Sequence, residues 1–319
     1  MTDPDHPATS EAMASILRLG PTVALPDAEH VDARRATVAA ALTGPLAAGT
    51  VADEAPLGGR PALWIRPVTA VAPDATGPIA LYLHGGAFEV GSPTAYQAFC
   101  SNIALRLDAT VVVPDYRLAP EHPFPAAVDD ALAAYRQLLD TGHPPSTIAL
   151  VGDSAGGGLV LSCLLAAHRA ELPQPAAAVG ISSWADLTLH ADAHQRCATT
   201  DPFVSGAMLQ RAARHYLLDT DPRDPLASPA HAPPDELAGL APLLLLAAAD
   251  EVLADDSSTM AQRVARAGGD VTLDLYPAAF HAWLLAGDGI PESRDALDHV
   301  TRFILERWHR ALPEAPVRW

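Results

Sequence analysis

The chain has 319 residues, enough for one large α/β domain or two small ones, and its 49% hydrophobic content fills a substantial core, which excludes a largely disordered protein. Acidic residues outnumber basic ones 38 to 20, a formal charge of −18, so long-range fields repel nucleic acid and anionic membrane surfaces and neither is an expected partner. Every basic residue is arginine, and a chain without lysine forms neither a Schiff base nor a P-loop.

In chain order, residues 10–46 carry helical spacing, and short β-rich runs then alternate with amphipathic stretches. Strands are predicted at 62–66, 79–83, 110–114, 147–151, 177–181, 243–247 and 271–276, and helices at 125–139, 155–169, 257–267 and 293–310. This alternation predicts an α/β fold: a mostly parallel sheet with helices on both faces. Two segments fall outside it, the N-terminal residues and an Asp-, His- and Pro-rich insertion that reads as turns and short helices. The expected division is an N-terminal cap (1–46), a core (47–184), a cap insertion (185–234) and the rest of the core (235–319), with the cap over the sheet edge where open α/β sheets bind ligands. Cys100, Cys163 and Cys197 are odd in number and widely spaced, which fits neither a disulfide framework nor a zinc site; they read as reduced, buried thiols. The polar start lacks the basic and apolar regions of a secretion signal, and no apolar run reaches the ~18 residues of a membrane span, so the expected location is the cytoplasm.

The chemistry centres on Gly152-Asp153-Ser154-Ala155-Gly156, an apolar run that breaks into a glycine-bracketed serine and then a helix-forming stretch. A serine on a sharp strand-to-helix turn is strained and needs small neighbours two positions away, while the turn exposes its hydroxyl at a helix N-terminus. A serine hydroxyl needs a base, and a base needs a carboxylate to orient it. His281, in the loop after the last predicted strand, is the candidate base. The candidate acids are Asp250 and Glu251, both at the start of the loop after the preceding strand, whereas Asp255 and Asp256 read as helix-opening residues. The strand at 79–83 ends in His84-Gly85-Gly86-Ala87-Phe88, whose backbone can turn NH groups towards a substrate oxygen, with the NH of Ala155 completing the set. Phe88, Trp184, Phe203 and Trp283 are candidates to line a substrate pocket.

These segments resemble the hormone-sensitive-lipase-like, or family IV, esterases of the α/β-hydrolase fold. The likeness rests on His84-Gly85-Gly86-Ala87, on the run from Asp115 to Ala126, on Gly152-Asp153-Ser154-Ala155-Gly156-Gly157, and on the acid and histidine loops. It implies an eight-stranded sheet with a helical cap, and hydrolysis of short- to medium-chain esters through an acyl-enzyme, without cofactor or metal. It also implies Gly86, Ala87 and Ala155 as oxyanion donors. Two departures stand out: Ala87 replaces the third glycine of the usual triplet, and aligning the usual acid motif places Glu251, 30 residues before His281, at the aspartate position. That alignment favours Glu251 over Asp250. The acid and histidine loops look most like the branch of acetyl hydrolases and monoterpene lactone hydrolases, so lactones stand beside esters as substrates, and amides share the same triad chemistry. A small-molecule receptor on the same fold is the reading from another class; retention of both Ser154 and His281 argues against it. A homodimer is compatible with the sequence. Arg117 and Glu121 are expected to form an ion pair, Asp153 to anchor the serine turn, and His281 to titrate near the ordinary value of about 6.5 unless the site shifts it.

Overall fold

The computed structural model describes residues 10–13, 15, 30–70, 77–190 and 201–311. Eight strands form one sheet: β1 (Thr50–Glu54), β2 (Ala62–Pro67), β3 (Ile79–Leu83), β4 (Thr110–Pro114), β5 (Ile148–Asp153), β6 (Ala177–Ile181), β7 (Leu243–Ala248) and β8 (Val271–Tyr276). Their order across the sheet is β1-β2-β4-β3-β5-β6-β7-β8. The first two strands pair antiparallel, β2 also runs antiparallel to β4, and all later pairings are parallel.

Central strands such as Ile79-Ala80-Leu81-Tyr82-Leu83 are apolar at every position because both faces are covered. The two-residue period of a strand divides their side chains between two cores. Leu81, Leu83, Leu243 and Leu245 join one cluster with the helices α3 (Ala126–Asp140), α4 (Ala155–Arg169) and α6 (Ala254–Arg266). Ala80, Tyr82, Leu244 and Leu246 join the other, with α2 (Pro93–Leu107) and α7 (Pro291–Ala311).

Two elements lie outside the sequence-based expectation. β1 is an edge strand, only half buried and carrying Asp53 and Glu54, so it lacks the apolar run that marks the central strands. α2 begins at Pro93, and the side chain of the preceding Ser92 accepts a hydrogen bond from Ala95 N at 3.1 Å, a start signal present in the sequence. The helix expected at 257–267 begins three residues earlier. Asp255 and Asp256 therefore sit in its first turn, and Asp256 is buried, its Oδ2 accepting from the NH groups of Ala185 and Asp186.

In the N-terminal segment, α1 (Val31–Leu42) packs against α2. In the insertion, α5 (Gly206–Leu217) buries Leu209, Ala212, Ala213 and Tyr216 in the first core, and the described residues of 185–234 contain no strand. Among the described residues no helix is long and apolar enough to cross a membrane. Cys100 and Cys163 are buried free thiols; Cys197 lies outside the described residues.

The expected Arg117–Glu121 pair is not formed. Arg117 instead forks onto the buried Asp130 of α3, with Nε and Nη2 at 2.9 and 2.7 Å, and its backbone NH donates to the same carboxylate. Glu121 pairs with Arg35 of α1 through two hydrogen bonds of 2.7 Å, and this bidentate contact pulls its pKa down to about 2. Sequence proximity favoured the local pair, but the two side chains face different helices. Asp130→Ala is expected to cost about 1–3 kcal/mol, because it strands the NH and guanidinium of Arg117; a lower urea midpoint with an unchanged m-value would report it.

Candidate active site

Ser154 stands between the C-terminus of β5 and the N-terminus of α4, with φ 54° and ψ −124°. Such angles are costly for a residue with a side chain, so the surroundings must impose them. They do so by hydrogen bonds to β6 and the segment after it: Ser154 N donates to Ile181 O at 2.8 Å, and Trp184 N donates to Ser154 O at 3.0 Å. The turn is also tight. A Cβ on Gly156 would lie 2.0 Å from Leu83 O, closer than any real contact, which is why only glycine fits there. The result is a partly exposed hydroxyl above the sheet edge, at the positive end of a helix.

His281 reaches this hydroxyl from the loop after β8, its Nε2 2.9 Å from Ser154 Oγ. Its Nδ1 lies 3.1 Å from Oε2 of Glu251, in the loop after β7. A carboxylate only accepts, so Nδ1 carries the hydrogen and Nε2 is left to accept from the serine. Asp250, one residue earlier, is exposed, whereas Glu251 is buried. Ser182, after β6, fixes the histidine loop: its hydroxyl accepts from Ala282 N at 3.0 Å.

Across the site, β3 ends in a turn in which Glu89 N and Val90 N both donate to Gly86 O at 3.0 Å. Gly86, Ala87 and Phe88 all have positive φ, at 120°, 55° and 61°. Within the hydrogen-bond network of the described residues, the NH groups of Gly86, Ala87 and Ala155 have no protein acceptor. Asp153 couples this turn to the serine turn: its Oδ1 accepts from Tyr82 Oη and Gly85 N at 2.7 and 2.9 Å, and its Oδ2 from Tyr96 Oη at 3.0 Å. His84 is stacked against Tyr116 with ring centres 4.3 Å apart; burial drops its pKa to about 4, so the neutral ring donates from Nδ1 to Gly85 O.

An open cleft runs from Gly86 and Ala87 between α1 and the start of α5, lined by Val38, Val90, Phe203, Val204 and Met208 among others. Of the four aromatic residues singled out from the sequence, Phe203 lines this cleft. Phe88 is buried with its ring stacked on Tyr216 at 3.9 Å, and Trp184 is buried in the same core. Trp283 lies in the opposite core against Tyr276, so its face is turned to structure rather than to the cleft.

The profile of the family described as α/β hydrolase fold matches residues 80–285. Over 95% of its length the chain superposes on all of an esterase from the bacterial hormone-sensitive lipase family, with a TM-score of 0.87 and 35% identity. The chain belongs to the hormone-sensitive-lipase-like α/β hydrolases. This hydrolase is also 43% identical over 241 residues to an acetyl-hydrolase of Streptomyces hygroscopicus, covering 76% of this chain and 78% of the relative. It is 33% identical over 223 residues to an esterase of Acinetobacter venetianus, covering 70% and 73%.

Several contacts around the site of this hydrolase had no signal in the sequence. Asp201, at the entrance to α5, accepts from Phe203 N and Val204 N through Oδ1 and from Val252 N through Oδ2, tying the insertion to the acid loop. It is also close enough to act on the histidine. Burial alone would lower the pKa of His281, but the hydrogen bond and charge of Glu251, with the charges of Asp201 and Asp153, outweigh it and raise the pKa above the ordinary value. Burial acts the other way on Glu251 and raises its pKa, with the charge of Asp201 adding to it, against the pull of His281 and Ser182. A protonated His281 cannot accept the serine proton, so kcat/KM is expected to rise with pH through an inflection above 6.5. In Asp201→Asn the inflection should move down, which a pH–rate profile of the two proteins would reveal.

Proposed function

We propose that this hydrolase cleaves short- to medium-chain carboxylic esters, with Ser154 as nucleophile, His281 as general base and acid, and Glu251 as the orienting carboxylate. The observation that carries the reading is the continuous chain from Ser154 Oγ to His281 Nε2 and from His281 Nδ1 to Glu251 Oε2, at 2.9 and 3.1 Å. Ser154 Oγ attacks the ester carbonyl as His281 takes its proton, and the oxyanion is received by the NH groups of Gly86, Ala87 and Ala155. His281 then protonates the leaving alkoxide. Water, deprotonated by the same imidazole, attacks the acyl-enzyme; collapse of the second tetrahedral intermediate releases the acid and returns the proton to Ser154. We further propose that residues 1–46 and 185–234 act as the cap over this edge, and that the apolar cleft between α1 and α5 takes one arm of the ester.

The names of the relatives support the ester class, and the apolar lining of the cleft supports an alkyl arm. The test is hydrolysis of p-nitrophenyl esters from acetate to laurate by folded wild type, Ser154→Ala, Glu251→Ala and Asp250→Ala. We expect turnover on the short chains that falls by at least about 10⁴-fold in Ser154→Ala and by about 10³–10⁴-fold in Glu251→Ala, with Asp250→Ala within about twofold of wild type. Equal activity in Ser154→Ala would overturn the mechanism, and a larger loss in Asp250→Ala would reassign the acid.

A further inference from the structure

Glu89 closes the turn that carries two of the proposed oxyanion donors, through its own NH on Gly86 O. Its side chain is 2% exposed. Removing a carboxylate from water to that extent is costly unless it is well paired. Here the pairing comes entirely from outside the sheet. Oε1 accepts from Arg34 Nη2 at 2.9 Å and meets His215 Nδ1 at 2.5 Å, while Oε2 lies 3.6 Å from Arg211 Nη2. The backbone carbonyl of the same residue accepts from Arg35 Nε at 2.9 Å. Arg34 and Arg35 belong to α1, and Arg211 and His215 lie one turn apart on α5. Two segments separated by more than 160 positions in the chain therefore grip one residue of the turn.

The turn needs such a grip. Ala87 and Phe88 both occupy left-handed backbone conformations, which are unfavourable for any residue with a side chain. Strain of this kind persists only where neighbouring structure over-determines it. The Phe88 ring is held by the stacked Tyr216, the residue after His215 on α5, so the second half of the turn is fixed by the same helix.

We propose that Glu89 is a positioning residue: through its carboxylate α1 and α5 latch onto the Gly86–Glu89 turn and hold the NH groups of Gly86 and Ala87 aimed at the oxyanion. The inference rests on the esterase reading above. It makes the cap part of the catalytic geometry and not only a cover, because displacing either helix releases the donors.

The test compares wild type, Glu89→Gln, Arg211→Gln and His215→Leu on p-nitrophenyl acetate, whose small acyl group leaves most of the cleft empty. Sites are counted by p-nitrophenolate released stoichiometrically from diethyl p-nitrophenyl phosphate, so unfolded protein does not enter kcat. Loss of a whole oxyanion donor costs about 10²–10³-fold, so a donor set out of aim in Glu89→Gln should lower kcat per site by about 10–100-fold, with KM within about threefold. Inhibition by butylboronic acid, whose tetrahedral adduct needs the same donors, should weaken in parallel. Arg211→Gln and His215→Leu, which leave the buried Arg34–Glu89 pair in place, should each lose about two- to fivefold in kcat per site. They carry the test if Glu89→Gln does not fold. Unchanged kcat per site and boronate affinity in the folded variants, with only thermal stability lowered, would overturn the latch, as would a loss confined to KM. An inactive wild type would instead overturn the esterase reading.

Discussion

The site depends on one backbone constraint, the forced turn at Ser154. A serine at φ 54° is not held there by its own preferences. It is held because β5 ends against Leu83 O on one side and the β6 carbonyl of Ile181 on the other, with no room for a Cβ at Gly156. Once that turn is set, the positions of its partners follow from the sheet. Parallel strands end at one edge, so the loops after β3, β5, β7 and β8 deliver the proposed oxyanion turn, Ser154, Glu251 and His281 to the same place without any long-range design beyond strand order.

Three buried carboxylates lie on the turns and loops that build the site, and their partners explain why all three can stay there. Asp153 is satisfied by two tyrosine hydroxyls and a backbone NH, a neutral shell that fixes the spacing between the serine turn and the oxyanion turn. Glu251 faces the imidazole of His281, whose charge changes in the proposed mechanism, and its stabilisation is largest when His281 is protonated. Glu89 is paired with arginines from two helices, whose charge does not change, and with His215. A buried carboxylate is thus a structural tie at Asp153 and is proposed as a charge partner at Glu251 and a fastener at Glu89, and burial raises the cost of losing any of the three pairings.

Much of this was legible in the sequence because it rests on local signals. The helix after Ser154 begins and ends at the predicted residues, since a glycine-bracketed turn and a terminal His168-Arg169 mark both ends. The seven predicted strands all exist: β3 to β7 are almost wholly apolar, and β8, though an edge strand, keeps apolar residues at alternate positions; β1, the other edge, carries too few apolar residues to show either pattern. Glu251 and Asp250 could not be separated by residue type or burial propensity, and the alignment that favoured Glu251 agrees with the side chain that faces His281. What the sequence withheld were contacts between distant segments. Nothing near Glu121 names Arg35, nothing near Arg117 distinguishes Asp130 from Glu121, and nothing near Glu89 signals Arg34, Arg211 or His215. Trp283 shows the converse: an aromatic residue next to the candidate base invites a pocket role, but strand β8 and helix α7 enclose it on the far side of the sheet.

The most direct test of the mechanism is to trap the covalent intermediate. Diethyl p-nitrophenyl phosphate or rapid acid quenching during turnover of a p-nitrophenyl ester, followed by peptide mass spectrometry, would locate the modified residue. One adduct per chain is expected, carried on the peptide containing Ser154 and absent from Ser154→Ala. Turnover at full rate with Ser154 unmodified throughout, or an adduct on another residue that forms and decays at the rate of catalysis, would contradict it.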